Sequence, residues 1–440
     1  MLIAVIGAGP CGLACAYGLL KRGHQVDIYE REQAVGGLSK SMPLWGRNVE
    51  LGPHFLPARM DAQVKALLEE LMNEDELLLY RRSSRIRIEG RLIDYPPGVP
   101  DLLRFWGLRR SGAAIFFFLH AFIRKKSAEP NDLESYIKTY LGSFIYRHFF
   151  KEYTEKLWRL SCASISSEYA RSLIGLGDLR ILSLLKKILP SVRKAKHSYC
   201  LYPEGGMSRL WSAAQSAIEN RGGRFYFGAA VGSIGEDEGG GMALKAYGRE
   251  ERYDNIVSTI PEAKLLALLR DAPPCALMER ARSLQSRNVL FIFLRIDRSG
   301  LMEHHTLYLH DRGVECVRIT NCSRFGSECG NDVLLLEYWM DDRDELWLGD
   351  EECMIRRARK DLDVLLTNVE FLIMDTKIVR LPKAIPVPSL HNKRCRVEIG
   401  AYLNRYKNLL RTGRANQDQF NYGMEEALKD GLLCAGTLKE

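Results

Sequence analysis

Gly7-Ala8-Gly9-Pro10-Cys11-Gly12 is a G-x-G-x-x-G run, and Glu30 stands 18 residues beyond its last glycine. Residue types in this order are suited to holding a dinucleotide. The first glycine permits a tight turn, the second lets the backbone approach a pyrophosphate, and the third lets a helix close on a strand. Free N–H groups at the start of the helix then meet the phosphates. A carboxylate at position 30 accepts hydrogen bonds from ribose hydroxyls and disfavours a 2′-phosphate, which argues against NADP. The elements that must position these groups are present. Residues 2–6 read as a buried strand, 11–22 as a helix apolar on most faces, and 25–30 as a second strand. Strand, turn, helix and strand make a right-handed βαβ unit.

NAD and FAD both suit such a unit. The next segment separates them: Glu30-Arg31-Glu32-Gln33-Ala34-Val35-Gly36-Gly37-Leu38-Ser39. A second glycine pair just after the ribose acid resembles the flavin-containing amine oxidase superfamily. Its branches include protoporphyrinogen oxidases, carotenoid desaturases and UDP-galactopyranose mutases. The resemblance implies FAD as cofactor, with Arg31, Gly36, Gly37 and Leu38 beside the pyrophosphate. It extends along the chain and is closest in motifs to the mutase-like branch. Val49-Glu50-Leu51-Gly52-Pro53-His54-Phe55 resembles the segment passing the flavin ring, with His54 facing the ring. Arg91–Pro96 resembles the strand entering the substrate domain, and Tyr202–Met207 the Pro-x-Gly-Gly loop. Gly228–Ile234 resembles the strand whose valine backbone, here Val231, contacts adenine. Val257–Pro261 resembles the return toward the cofactor. Thr412-Gly413-Arg414-Ala415-Asn416 resembles the closing FAD motif, which implies that Gly413 and Arg414 hold pyrophosphate and flavin.

Candidates for substrate and catalysis come from the same resemblance. Tyr153-Thr154-Glu155-Lys156-Leu157-Trp158 is similar to a mutase-branch signature, which makes Tyr153 and Trp158 candidate substrate contacts or core residues. Phe420 stands where the mutases carry a diphosphate-binding tyrosine, and Tyr422 lies two residues further on. This departure weakens a mutase expectation. Arg159, Arg171 and Arg295 are candidate anion ligands by position. His54 is expected to contact the flavin and Lys383 to hold a water near N5, against the plainer roles of loop histidine and surface lysine.

The expected fold class is α/β, a Rossmann-type FAD-binding domain (GR2 type) interrupted by a mixed α+β substrate domain. The expected pieces are 1–90, 196–262 and 381–440 for FAD, with a helical 91–195 and a β-rich 263–380 for substrate. Helices are expected over 132–142, 144–158, 351–366 and 424–438, and Gly235–Gly241 is expected to be a solvated hairpin tip. The expected function is an FAD-dependent oxidoreductase moving a hydride from a small organic substrate to flavin N5. The alternative is a nucleotide-sugar mutase using reduced flavin as nucleophile.

Of 440 residues, 46% are hydrophobic and 27% charged, enough for a sizeable core. The 11 cysteines form no Cys-x-x-Cys pair, so reduced thiols are expected and a metal site is not. The N-terminus has neither a basic region nor a cleavage site, which points to a cytoplasmic protein. The net charge of +8 lies in clusters at 81–91, 124–126 and 186–196. These suit solvated faces, acidic lipid headgroups or a small anionic substrate, and no motif accompanies them that would suit nucleic acid. The apolar run 113–123 is too short to span a bilayer. Flanked by Arg109-Arg110 and Arg124-Lys125-Lys126, it reads either as a membrane-surface element or as a helix buried in the substrate domain, and the buried helix is the expectation taken.

Overall fold

Leu2–Ile6 has four consecutive buried residues, as a strand covered on both faces requires. In the computed structural model it lies at the middle of a five-stranded parallel sheet. The order is Arg224–Phe227, Gln25–Glu30, Leu2–Ile6, Asn255–Ser258 and Leu409–Arg411. The structure describes residues 1–123, 129–174, 199–325, 331–366, 369–414 and 422–438.

The chain divides into two compact units, one of Met1–Tyr80, Tyr199–Leu284 and His391–Glu440, the other of Arg81–Ser198 and Gln285–Leu390. The expected breaks at 90, 262 and 381 fall elsewhere, for reasons of pairing and packing. Ser84–Ile88 runs parallel to Thr306–Leu309 and antiparallel to Arg91–Asp94, which commits both strands to the second unit. The helix Cys275–Arg282 puts Leu277 and Ala281 into the core of the first. The strand Ile373–Pro386 pairs along most of its length with Ser286–Ile296.

In the first unit the helix Pro10–Lys21 packs on the last helix, Met424–Thr437, at small residues. A Cβ on Gly431 would lie 2.2 Å from the Cys11 carbonyl oxygen, and one on Gly18 would lie 2.9 Å from Ala435 Cβ. Val231–Glu236, Met242–Ala246 and Arg249–Tyr253 form an antiparallel meander. Its first turn is the expected hairpin tip, closed where the Asp237 N–H donates to the Gly241 carbonyl at 3.0 Å.

The second unit is built on a seven-stranded sheet in the order Ile373–Pro386, Ser286–Ile296, Val333–Met340, Arg318–Asn321, Thr306–Leu309, Ser84–Ile88, Arg91–Asp94. Ser286–Ile296 is buried on both faces, which explains its unbroken apolar run. Glu351–Leu365 is capped by Asp350, whose carboxylate accepts from the Cys353 N–H at 2.8 Å, and it lays Met354, Ala358 and Leu362 on this sheet's core. The helical part includes Leu133–Leu141, capped by Asp132, and a long helix, Val99–Ile123, kinked at Gly107 (φ 69°, ψ 177°). The expectation that 113–123 is buried does not hold. Ala114 and Ala121 face inward, whereas Ile115, Phe116, Leu119, Phe122 and Ile123 are exposed. An apolar run specifies what a helix is made of, but its neighbours decide which faces are covered.

Candidate functional site

Within the first unit, segments far apart in sequence meet at the N-terminus of Pro10–Lys21. Gly7 leaves the first strand with φ +105°, and its N–H donates to the Tyr29 carbonyl at 2.8 Å. A Cβ there would lie 2.3 Å from Thr259 Oγ1. At Gly12 a Cβ would lie 1.9 Å from the Gly7 carbonyl oxygen, so any side chain would prise the helix off the strand. Gly9 is different. It is the N-cap, in extended backbone, and a Cβ on it would meet nothing within 4 Å among the described residues. Gly7 and Gly12 therefore serve the protein's own packing, while Gly9 borders open space. Pro10 opens the helix and its first turn holds no acidic residue. Helix-leading amides, which have no partner within the helix, and the positive end of the helix dipole face that space, a setting that fits a pyrophosphate.

The second glycine pair closes on the same turn. The Gly36 N–H donates to the Ala8 carbonyl at 2.8 Å, and a Cβ on Gly37 would lie 3.2 Å from Gly9 Cα. A Cβ on Gly36 would strike Trp211 Cδ1 at 2.5 Å, so that glycine is required by packing as well. Leu38 follows, 45% exposed. Glu30 is oriented by two amides: Oε2 accepts from the Ala8 N–H at 2.7 Å and Oε1 from the Glu32 N–H at 2.9 Å. Each carboxylate oxygen keeps a lone pair for a ribose hydroxyl. Arg31 is exposed and paired with Glu32 at 3.0 Å. The loop leading to Val231 is stitched alongside, because the Ala229 N–H donates to the Glu30 carbonyl at 2.9 Å and the Gly228 N–H to the Glu32 carbonyl at 3.1 Å. Val231 then opens the meander at a bulge.

The C-terminal segment arrives at the same helix end. The Thr412 N–H donates to the Ser258 carbonyl at 3.0 Å, and Gly413 (φ +86°) would place a Cβ 3.2 Å from Cys11 Sγ. Burial pushes the Cys11 thiol up to about 12, so it stays protonated and acts as packing. Arg414 is exposed. Ala415, Asn416 and Phe420 lie outside the described residues, as do the basic clusters at 124–126 and 186–196. Tyr422 is buried, and its hydroxyl donates to Asp430 Oδ2 at 2.7 Å, so it turns onto the last helix, Met424–Thr437, rather than outward.

His54 follows the hairpin formed by Ser41–Leu44 and Arg47–Glu50, in a loop where its N–H donates to the Gly52 carbonyl at 2.9 Å. What fixes that hairpin is Glu50, within the Val49–Phe55 motif. Glu50 is 6% exposed and accepts from the Tyr202 hydroxyl at 2.8 Å, from Ser41 Oγ at 2.8 Å and from the Met207 N–H at 3.1 Å. Burial raises its pKa, and the donors oppose that shift. Glu50 thus ties the Tyr202–Met207 loop to the segment leading to His54. Both segments are recognisable in the sequence, but only folding shows that they touch.

The second unit holds a cavity of about 630 Å³ lined almost wholly by apolar side chains, with Tyr95, Trp106, Tyr153, Thr154 and His310 as its polar-capable members. Tyr153 stacks on His310 at 3.9 Å with an interplanar angle of 8°. Burial lowers the His310 pKa to about 3, so the ring is neutral, and its Nδ1 is buried without a hydrogen-bond partner among the described residues. Trp158 does not line this cavity. It is fully buried, edge-on to Tyr169 at 5.5 Å and Trp339 at 5.0 Å. Of the two aromatic candidates, only Tyr153 faces space that a ligand can fill. Arg171 is committed to Glu129 at 2.6 Å.

Lys383 is exposed and adopts φ +50° in a bulge where Asn288 alone opposes residues 382–384. Its N–H donates to Asn288 Oδ1 at 2.8 Å, and Asn288 Nδ2 donates to Asp342 at 2.8 Å. A non-glycine residue at positive φ within a bulge is a conformation that costs about 1–3 kcal/mol and is held by its surroundings. No sequence spacing announces it. Among the described residues, no group of three or more His, Cys, Asp or Glu is placed to hold a metal ion, and no helix is long and apolar enough to cross a membrane.

A parallel sheet with a glycine turn, a ribose-type acid and a returning C-terminal glycine at one helix end defines a dinucleotide-binding flavoprotein fold. Residues 10–438 match the family described as flavin containing amine oxidoreductase. A 4,4'-diapophytoene desaturase (4,4'-diapolycopene-forming) from Methylomonas sp is 21% identical over 69% of this chain and 63% of its own length. The chain thus spans under two thirds of that relative. Among solved structures, reduced UDP-galactopyranose mutase superposes with a TM-score of 0.81 at 18% identity, covering 100% of this chain and 96% of the other. A provisionally named protoporphyrinogen oxidase from Exiguobacterium sp. 255-15 superposes with a TM-score of 0.77 at 17% identity, covering 99% and 98%. The two superpositions establish the fold. The chain belongs to the flavin containing amine oxidoreductase family, and its cofactor is FAD.

Proposed function

We propose that the chain oxidises a small organic substrate with FAD. When bound, FAD supplies the acceptor position for a hydride at N5; the residues named above hold, orient and shield. Amides at the start of Pro10–Lys21, with Gly9 leaving them uncovered, take the pyrophosphate. Glu30 takes the adenosine ribose, the Val231 backbone faces adenine, and Gly413 with Arg414 closes on the phosphates. Arg31, Gly36, Gly37 and Leu38 border the same turn. His54 lies on the loop assigned to the ring, and Glu50 positions that loop. Substrate binding is assigned to the second unit, with Tyr153 as contact, and Lys383 is assigned a water-holding role on its bulge. The substrate is expected to be an apolar molecule, because the cavity offers few polar partners. A desaturase among the relatives accords with this.

The observation that carries the proposal is the open space at Gly9, facing a helix N-terminus that Glu30 and Gly413 flank. The deciding experiment is anaerobic addition of amines, polyprenyl or porphyrin-like compounds, and UDP-sugars to the flavin-loaded protein. Bleaching of the flavin absorbance with one class, and recovery in air, supports oxidation. The mutase alternative, which the fold likeness to the mutase keeps in view, needs pre-reduced flavin and isomerises a UDP-sugar without net electron transfer. Tyr422 buried on Asp430 counts against it.

A further inference from the structure

The long helix of the second unit has an apolar face that nothing in the described residues covers. Beyond the kink at Gly107, Leu108 is 97% exposed, Phe116 64% and Ile123 80%, with Ile115, Leu119 and Phe122 each about half exposed. Positions 108, 115, 119 and 122 follow helical spacing, and 116 and 123 lie beside them, so the side chains form one stripe. Six large apolar side chains in a row are more than scattered surface residues need explain. From Leu102 through Ile123 the charged residues are Arg104, Arg109 and Arg110, with no Asp or Glu, and Arg124-Lys125-Lys126 follow in sequence. All three arginines on the helix are exposed, and Arg110 is paired to Glu89 at 3.0 Å.

The cavity gives this face a direction. Ile115 and Leu119 belong both to the exposed stripe and to the cavity lining, so the cavity wall and the outer apolar face are continuous. We propose that this helix seats on an anionic lipid bilayer, apolar stripe in the acyl boundary and arginines at the phosphates, and that the cavity is loaded with an apolar chain from that bilayer. Charge selects the occupant: Arg104 and Arg109 stand exposed beside the stripe while Arg110 is paired to Glu89, a rim that suits acidic headgroups, whereas two copies of it face to face would bring arginine against arginine. The helix is not apolar over enough length to cross, so it lies on the surface. Because the proposal uses the second unit alone, it stands or falls apart from the FAD assignment.

The test is flotation of the full flavin-loaded chain with vesicles of phosphatidylcholine alone and of phosphatidylcholine mixed with phosphatidylglycerol. Binding to the mixed vesicles, weakened by salt, is expected. The pair Phe116→Ser and Ile123→Ser should cut it at least about tenfold while leaving flavin absorbance and circular dichroism unchanged. Arg109→Gln should weaken binding to the mixed vesicles only. As a second readout, F116W should be quenched by lipids brominated on the acyl chain. A wild-type chain that stays unbound with both vesicles overturns the proposal. So does a dimer that the serine pair disperses, since the face would then belong to a second copy.

Discussion

At the residue scale, the three turn glycines divide by what their missing side chains would meet. A methyl at Gly12 collides with backbone, and one at Gly9 collides with nothing among the described residues. Gly9→Ala is therefore expected to leave the stability of the flavin-free chain within about 1 kcal/mol of wild type, since its extended backbone suits alanine. It should nevertheless purify with little flavin. Gly12→Ala should lose both, and denaturant titration alongside flavin absorbance separates the cases. His310 makes a pH prediction. Its ring titrates near 6.5 when unfolded and near 3 when folded, because protonation would place a charge in a buried site. Folding therefore favours the neutral form, and the stability it contributes is present above pH 6.5 and is lost as pH falls toward 3. Between pH 6 and 4, His310→Phe, which keeps the stack on Tyr153, should flatten the fall of unfolding free energy by up to about 1.4 kcal/mol per pH unit. Equal slopes in the two proteins would refute the assignment.

At the element scale, the first and last helices are held close by glycines. Gly431→Ala puts a methyl 2.2 Å from the Cys11 carbonyl and 2.9 Å from the Cys15 nitrogen, both backbone atoms that yield only if a helix moves. A loss of about 1–3 kcal/mol is expected. The movement would also disturb Gly413 against Cys11, so the retained flavin should fall as well. Thermal melting and flavin content in one preparation check both. At the kink of the long helix, Gly107→Ala should cost a similar amount, because φ 69° with ψ 177° is a glycine conformation.

At the scale of the whole molecule, cofactor and stability are linked. Removing FAD should lower the melting temperature, and FAD at about a hundred times its dissociation constant should restore about 2.7 kcal/mol. Calorimetry with and without FAD tests this, and a chain indifferent to FAD would contradict the assignment of the glycine turn.

Much of this is legible in the sequence alone. The βαβ unit, the acid after the second strand, the β runs near 288–296 and 332–338 and the last helix follow from local patterns, because strand, turn and helix preferences act over a few residues. The family resemblance rested on such segments, and the match over residues 10–438 bears it out. Other features depended on partners distant in the chain. Glu50 needed Tyr202 and Met207, the Lys383 bulge needed Asn288, and Trp158 became core because Tyr169 and Trp339 enclose it. The run 113–123 announced an apolar helix, but its exposure was set by what the rest of the unit left uncovered. Composition and spacing determine which elements form and where a backbone lies bare. Which side chains meet, and which face remains open, is decided by packing among segments that sequence order keeps apart.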